Sequence, residues 1–181
     1  PLVLGGVMTW LAFLAKQSGV VMLAPVALGA VVNYGRRSLF LVGSALVSFL
    51  AGNWVLDRLF RGWFSYYVFD LPRAKKVVKL QVVGFWTSEL LPSLFIAMLI
   101  SVLFLGYELC RGDRARGRFY LAALLGMVGG SWLFRSYSGV YYNALMPAHA
   151  TISMVCGLGL GRVVQARRAG GRLMPLSLLL C

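Results

Sequence analysis

The residues with most chemistry in this sequence are cations set beside aromatic rings. In DRLFRGWFSYYVFDLPRAKKVVKLQVVGFWTSE, residues 57–89, Trp63, Phe64, Tyr66, Tyr67 and Phe69 precede Pro72, and Arg73, Lys75, Lys76 and Lys79 follow it. Such rings settle at headgroup level and adjacent Lys and Arg seek phosphate, so this stretch is expected to lie along a membrane surface. It is either an interfacial anchor with solvated charges or a grip on an anionic lipid headgroup, such as a polyprenyl phosphate or a phosphoglycolipid. Arg73 suits the second role: Pro72 fixes the backbone beside it, and a guanidinium can hold two phosphate oxygens at once. Lys75 and Lys76 read as solvated or headgroup-facing. Asp70 can orient Arg73, bind a sugar hydroxyl or coordinate a metal, although a lone acid is more often a surface partner.

Further polar residues stand beside apolar runs. Lys16 separates two of them, and a charge at the bilayer is costly unless it snorkels or has a partner, so it is either an interfacial lysine or a functional cation. Tyr141, Tyr142 and Asn143 precede a helix bearing Pro147 and His149. Tyr and Asn can read sugar hydroxyls, with Arg135 as an added cation; equally, they can form an aromatic belt with Asn143 as N-cap. His149 would be expensive facing lipid and should point into the bundle or a wet cavity. It has no second His or suitably spaced acid for a metal. Glu89 reads as a helix-start carboxylate favoured by the helix dipole. The run Gly157 to Gly161, with Gly126, Gly129 and Gly130, suits close helix packing better than nucleotide binding, since no strand precedes either cluster. Cys110, Cys156 and Cys181 share no CxxC spacing and suggest neither a disulfide framework nor a zinc site.

The elements that must position these residues are helices in a membrane. Of 181 residues, 60% are hydrophobic and 13% charged, against about 45–50% and about 25% in a soluble domain. Residues 39–56, 90–109, 119–134 and 144–160 form apolar blocks approaching the roughly 20 residues that cross a hydrocarbon core. Without water to satisfy the backbone there, such blocks must be helical. The expected fold is therefore an all-α integral membrane bundle of about six transmembrane helices, near 2–15, 17–34, 39–56, 90–109, 119–134 and 144–162, in a single domain. Residues 57–89 form its interfacial segment. Pro1 is no initiator and the chain stops inside an apolar run, so the sequence reads as a fragment with helices missing on both sides.

The net charge of +13 would suggest nucleic acid in a soluble protein. Here the basic residues fill gaps between apolar blocks, where they face headgroups, and no nucleic-acid partner is implied. Arg36, Arg37, Arg111, Arg114, Arg116, Arg118, Arg162, Arg167, Arg168 and Arg172 form tight clusters assigned to the cytoplasm by the positive-inside rule. Lys16, Arg58, Arg61, Arg73, Lys75, Lys76, Lys79 and Arg135 then lie outside, which puts residues 57–89 on the outer face.

At AKQSG, YYVFDLPRA and VYYNALMPAHA the chain resembles the bacterial polyprenyl-phosphate-dependent glycosyltransferases of the GT-C superfamily, in the broad family of protein mannosyltransferases and lipid A aminoarabinose transferases (glycosyltransferase family 39). The shared features, in order, are a short helix pair joined by a lysine turn (FLAKQSGVVMLAP), an outer aromatic segment (WFSYYVFDLPRA) and a late helix opening YYNALMPAHATISMVCGLG. The resemblance implies a multi-pass transferase of the inner, cytoplasmic membrane that takes sugar from a lipid-phosphate carrier at the outer face, with inversion. By this resemblance Lys16, Arg73 and Arg135 bind the donor phosphate. Asp70, Tyr141, Tyr142, Asn143 and His149 contact sugar or acceptor, and membrane lipids are the other partners. The family's catalytic acid lies in a first outer loop that these residues do not include, so the catalytic residue stays unknown. No cofactor is indicated; a divalent metal is compatible with the family. A transporter or flippase of lipid-linked saccharides would also present outer cations, but should carry repeats with paired broken helices, and none is evident. A non-catalytic membrane subunit is the third reading.

Overall fold

The computed structural model describes residues 2–16 and 19–168. Gln17 and Ser18 of the lysine turn, Arg172, Cys181 and the apolar run 173–181 lie outside the described residues. Helix makes up about 89% of the structure, and no strand forms among the described residues. The helices are α1 (Leu2–Ala15), α2 (Gly19–Tyr34) and α3 (Leu39–Leu59), then a surface helix α4 over 63–73, then α5 (Lys79–Cys110), α6 (Arg114–Arg135) and α7 (Met146–Arg168).

Local chemistry sets the breaks. Gly35, at φ +52°, ends α2 in the left-handed region, and Ser38 Oγ donates to its carbonyl at 2.6 Å in the 3₁₀ turn Gly35–Ser38. Arg61 and Gly62, at φ 52° and 86°, end α3; a glycine takes that conformation without a Cβ penalty. The Asp57 carboxylate accepts the Ser65 N–H at 3.0 Å and ties α4 back to α3. In α5, Pro92 lacks an N–H and crowds the turn before it. The helix opens into a π turn, Phe85–Leu90, immediately upstream, and Ser93 Oγ donates to the Glu89 carbonyl at 2.7 Å. Residues 79–89, expected in the interfacial segment, are thus helical, and the span expected to open at residue 90 begins at Lys79.

Three helical runs are long and apolar enough to cross a membrane, Gly19–Leu59, Lys79–Cys110 and Tyr142–Gln165. They mark a membrane protein, with fewer spans than the six expected. The shortfall has a physical cause. At 1.5 Å per residue, the 14 residues of α1 reach about 21 Å, short of a core about 30 Å thick. In α6 the apolar stretch is confined between Arg118 and Arg135 and, at about 24 Å by the same rise, is also short of the core. Helices α2 and α3 fall within one 41-residue run interrupted at Gly35.

Contacts fix the directions. Helix α6 packs antiparallel on α2: a Cβ on Gly126 would collide with the Met22 carbonyl, one on Gly29 would come within 2.9 Å of Ala122 Cβ, and Asn33 Nδ2 donates to the Ala115 carbonyl at 2.9 Å. Helix α1 runs alongside α3, with Gly6 against Ser44 and Trp10 Nε1 donating to Asn53 Oδ1 at 3.1 Å. The core lies among α5, α6 and α7, around Phe85, Leu90, Leu145, Ala148 and Ile152 at one end and Phe104, Leu105 and Val155 at the other. Ser101 Oγ bridges α5 to the Ile152 carbonyl of α7 at 3.2 Å, and Ser131 Oγ accepts the Ala148 N–H at 3.2 Å.

Polarity is distributed as lipid, not water, would require. Ser101, Glu108, Ser131 and Arg135 are buried, while Phe40, Val47, Leu50 and Trp54 of α3 stand exposed and α3 buries no residue. In hydrocarbon an outward apolar face costs nothing, whereas polar groups need internal partners. Small residues let the helices approach, as at Gly126 and at Gly159, where a Cβ would sit 3.0 Å from Phe104 Cβ.

These directions segregate the charge. The ends of α2, α5 and α7 and the start of α6 meet at one end of the bundle with Arg36, Arg37, Arg111, Arg114, Arg116, Arg118, Arg162, Arg167 and Arg168. Lys16, Arg58, Arg61, Arg73, Lys75, Lys76, Lys79 and Arg135 occupy the opposite, aromatic end.

Candidate functional site

The aromatic end gathers three stretches that are far apart in sequence. Phe13, in the last turn of α1, stacks on Phe69 of α4 with centroids 6.3 Å apart, which joins the Lys16 turn to the aromatic segment. The chain after α4 is held by a two-residue antiparallel bridge: Val78 N–H donates to the Ser136 carbonyl at 2.8 Å, and Ser138 N–H to the Lys76 carbonyl at 2.9 Å. That bridge carries the 74–78 stretch to the end of α6, next to the loop leading into Tyr141, Tyr142 and Asn143.

Helix α4 forms an exposed ledge. Trp63 lies 5.8 Å from Tyr67 in a stacked pair, and Tyr66 sits edge-on to both at 5.7 and 5.4 Å. All three rings are about half exposed or more, outside the packed helices. Arg73 Nη1 stands 4.0 Å from Asp70 Oδ1, both side chains well exposed. The pair is long and solvated, so it orients the guanidinium weakly and leaves most of its donors open. Lys16 is exposed at the α1–α2 turn, its backbone N–H bonded to the Ala12 carbonyl at 3.0 Å.

Arg135 is held differently. Its Nε donates to Glu89 Oε1 and Oε2 at 3.0 and 3.1 Å and its Nη2 to Oε1 at 2.6 Å, with side-chain exposures of 9% and 14% for Arg135 and Glu89. Nη1 donates to the Val140 carbonyl at 3.1 Å. The Gln81 amide, in the orientation its neighbours require, accepts from Nη1 at 3.0 Å and donates to the Tyr137 and Arg135 carbonyls at 3.2 and 3.1 Å. The guanidinium also lies 5.0 Å over the Tyr142 ring, a cation–π contact. Glu89, which reads in sequence as a dipole-compensating carboxylate, is therefore the partner of a buried cation 46 residues away, and Arg135 is the node that fixes α5, α6 and the loop before α7.

Tyr141, Tyr142 and Asn143 are exposed, and Asn143, expected as an N-cap, lies inside the 3₁₀ turn Tyr142–Leu145, whose N-cap position is Tyr141. His149 is half-buried, one turn into α7, and its Nε2 is buried without a hydrogen-bond partner among the described residues. No group of three or more His, Cys, Asp or Glu residues able to hold a metal occurs among the described residues. Cys110 is exposed and Cys156 buried, both as free thiols.

A residue that the sequence reading passed over is Glu108. It lies wholly buried near the end of α5, inside what reads as an apolar block; its Oε1 is 3.3 Å from Arg162 Nη2 of α7, and its Oε2 accepts the Asp113 N–H at 3.1 Å. The signal was an acid within a hydrophobic span, which is expensive without a partner. Asp113 is the N-cap of α6: its Oδ1 accepts the Ala115 and Arg116 N–H groups at 2.9 and 3.2 Å. The Arg116 backbone bond, foremost, holds its carboxyl below the ordinary aspartate value. In comparisons with family models, curated proteins and solved structures, nothing matches this chain.

Proposed function

We propose that this chain is the donor-binding part of a membrane glycosyltransferase that takes a sugar from a polyprenyl-phosphate carrier at the outer face of the cytoplasmic membrane. The observation that carries the reading is the convergence at one end of the bundle of the Lys16 turn, the exposed ledge with Arg73, and the Tyr141–Tyr142–Asn143 stretch above Arg135. The aromatic rings suit the headgroup level and the cations suit a phosphate held there. Nine arginines stand at the opposite end against eight basic residues at this one, and it is their tight clustering that favours the opposite end as cytoplasmic under the positive-inside rule, with the ledge turned outward. The 41-residue run Gly19–Leu59, broken at Gly35, fits a helical hairpin, and α1 and α6 complete a six-helix bundle by thinning the bilayer around them and by snorkelling of their flanking basic side chains.

In this mechanism an acceptor hydroxyl attacks the anomeric carbon, its proton passing to a base not assigned among these residues, as the bond from that carbon to the carrier phosphate oxygen breaks and the carrier leaves as a phosphate anion. Lys16 and Arg73 meet the charge that grows on the leaving oxygen, where a fixed cation lowers the barrier most. Asp70, beside Arg73 on the same exposed ledge, meets a sugar or acceptor hydroxyl. Arg135, held by Glu89, sets Tyr142 so that Tyr141, Tyr142 and Asn143 meet sugar hydroxyls, with His149 behind them. The direct displacement inverts the anomeric centre and needs no covalent enzyme intermediate. No acid in the chain is assigned as the base.

The test is donor kinetics on the full-length protein. Lys16→Ala and Arg73→Ala should each lower kcat/KM for the lipid-linked donor by about tenfold or more, as expected for one charge-assisted phosphate contact, while Lys76→Ala changes it little. Equal, small effects at all three positions would reduce them to membrane anchors and overturn the proposal.

A further inference from the structure

At the arginine-rich end, remote from the ledge, α5, α6 and α7 line an open cleft of about 330 Å³, the size of a headgroup rather than a whole lipid. Its polar wall is Arg116 of α6 with Arg162 and Gln165 of α7. Arg162 Nη2 stands 3.3 Å from Oε1 of the wholly buried Glu108, an ion pair in which that oxygen makes no hydrogen bond among the described residues, and the arginine side chain is still 46% exposed. Arg116 stands 3.8 Å from Asp113 Oδ2 and is equally exposed. Each arginine thus has one carboxylate neighbour and donors to spare.

Two glycines of the cleft carry a second, independent signal. Gly157 and Gly161, one helical turn apart on α7, line it, and a Cβ on either would meet nothing within 4 Å. Gly126 and Gly159 serve packing because a neighbour fills the space where a side chain would be; at Gly157 and Gly161 no neighbour among the described residues does. The bare strip leaves the guanidinium groups accessible from the side. Phe104 and Tyr120, rings 5.9 Å apart, close the cleft towards the apolar core. Around it, Arg111, Arg114, Arg118, Arg167 and Arg168 outweigh Glu108 and Asp113, so the local field favours an anion.

We propose that this cleft binds the phosphate headgroup of an anionic phospholipid, with Arg116 and Arg162 on the phosphate oxygens and Gln165 on the headgroup's hydroxyl or ester oxygens. Two guanidinium groups between membrane helices at an arginine-rich end suit such a ligand. The site is independent of the donor reading, since it lies at the other end of the bundle and shares no residue with it.

The experiment reads lipid retained by the purified full-length protein, by native mass spectrometry or by titration into micelles, with phosphatidylglycerol, cardiolipin and phosphatidylcholine. The wild type should hold the two anionic lipids, and Gly161→Leu and the double variant Arg116→Gln/Arg162→Gln should each weaken that by about tenfold or more; phosphatidylcholine should bind weakly and unchanged. Arg162→Gln leaves Glu108 buried without its cation and can fail to fold, which is why Gly161→Leu, whose side chain enters open space, is the decisive variant. Retention unaltered by Gly161→Leu in folded protein would overturn the site. Displacement of the lipid by millimolar inorganic phosphate would overturn the lipid as its ligand and point to a soluble phosphate compound.

Discussion

The Glu89–Arg135 pair offers the sharpest test of how the aromatic end is held. In Glu89→Ala the guanidinium loses three contacts of 2.6 to 3.1 Å and keeps the Val140 carbonyl, Gln81 and the Tyr142 ring. Removing one partner of a buried ion pair costs about 3–5 kcal/mol, because the other charge stays buried without compensation. The contacts that Arg135 retains place Glu89→Ala at the lower edge, about 3 kcal/mol. Arg135→Leu should cost at least as much, since it leaves the carboxylate alone and releases Val140 and Tyr142 as well. The double variant buries no unpaired charge and should fall short of the sum by about 2 kcal/mol or more. Denaturant unfolding of the purified protein in micelles, followed by tryptophan fluorescence, suits the site: Trp86 and Trp132 lie 6.1 Å apart, and Trp132 Nε1 donates to the Val82 carbonyl at 3.0 Å. A cost below about 1 kcal/mol for Glu89→Ala, or a double variant equal to the sum of the singles, would refute a structural ion pair. A raised KM for the lipid-linked donor in Arg135→Leu with unfolding unchanged would instead assign Arg135 to the phosphate.

Other consequences can be measured with simpler variants. Gly126→Ala places a methyl against the Met22 carbonyl and should lower stability by about 1–3 kcal/mol, whereas Gly129→Ala, with nothing within 4 Å of the new Cβ, should be neutral or slightly stabilising; equal effects in unfolding experiments would break the α2–α6 packing argument. Cysteine labelling of intact cells should reach position 76 and miss position 114, and the reverse pattern would invert the topology. Asp113 has a lowered pKa in the folded chain, so the stability it contributes is present above the ordinary carboxylate range and is lost as pH falls through the folded value. Asp113→Asn keeps the cap without the charge and should flatten the acid limb of a stability-versus-pH profile, while an unchanged limb would remove Asp113 as its source.

Parts of this architecture were legible in the chain because they are local. The apolar blocks at 39–56 and 144–160 had to be helical wherever water is absent, and Arg36 and Arg37 marked the gap between two of the helices. The arginines of 111–118 and 162–168 stood out as clusters whatever the fold did. Interruptions within a helix were less legible. Residues 79–89 mix Lys79, Gln81 and Glu89 with apolar positions and read as a surface strip, yet they continue α5, because Gln81 and Glu89 both spend their polar atoms on Arg135.

The amino-acid order alone determined that this protein is helical, that it belongs with lipid, and where its charges sit along the chain, since hydropathy and backbone satisfaction act over a few turns. Only the tertiary structure decided which charges meet. Glu89 finds Arg135 46 positions away and Glu108 finds Arg162 across α5 and α7, pairings set by helix direction and crossing rather than by any spacing in sequence. The same packing brings Phe13 onto Phe69 and leaves Gly157 and Gly161 uncovered, because a helix face is filled or left bare by its neighbours, and one strand of sequence does not specify those neighbours.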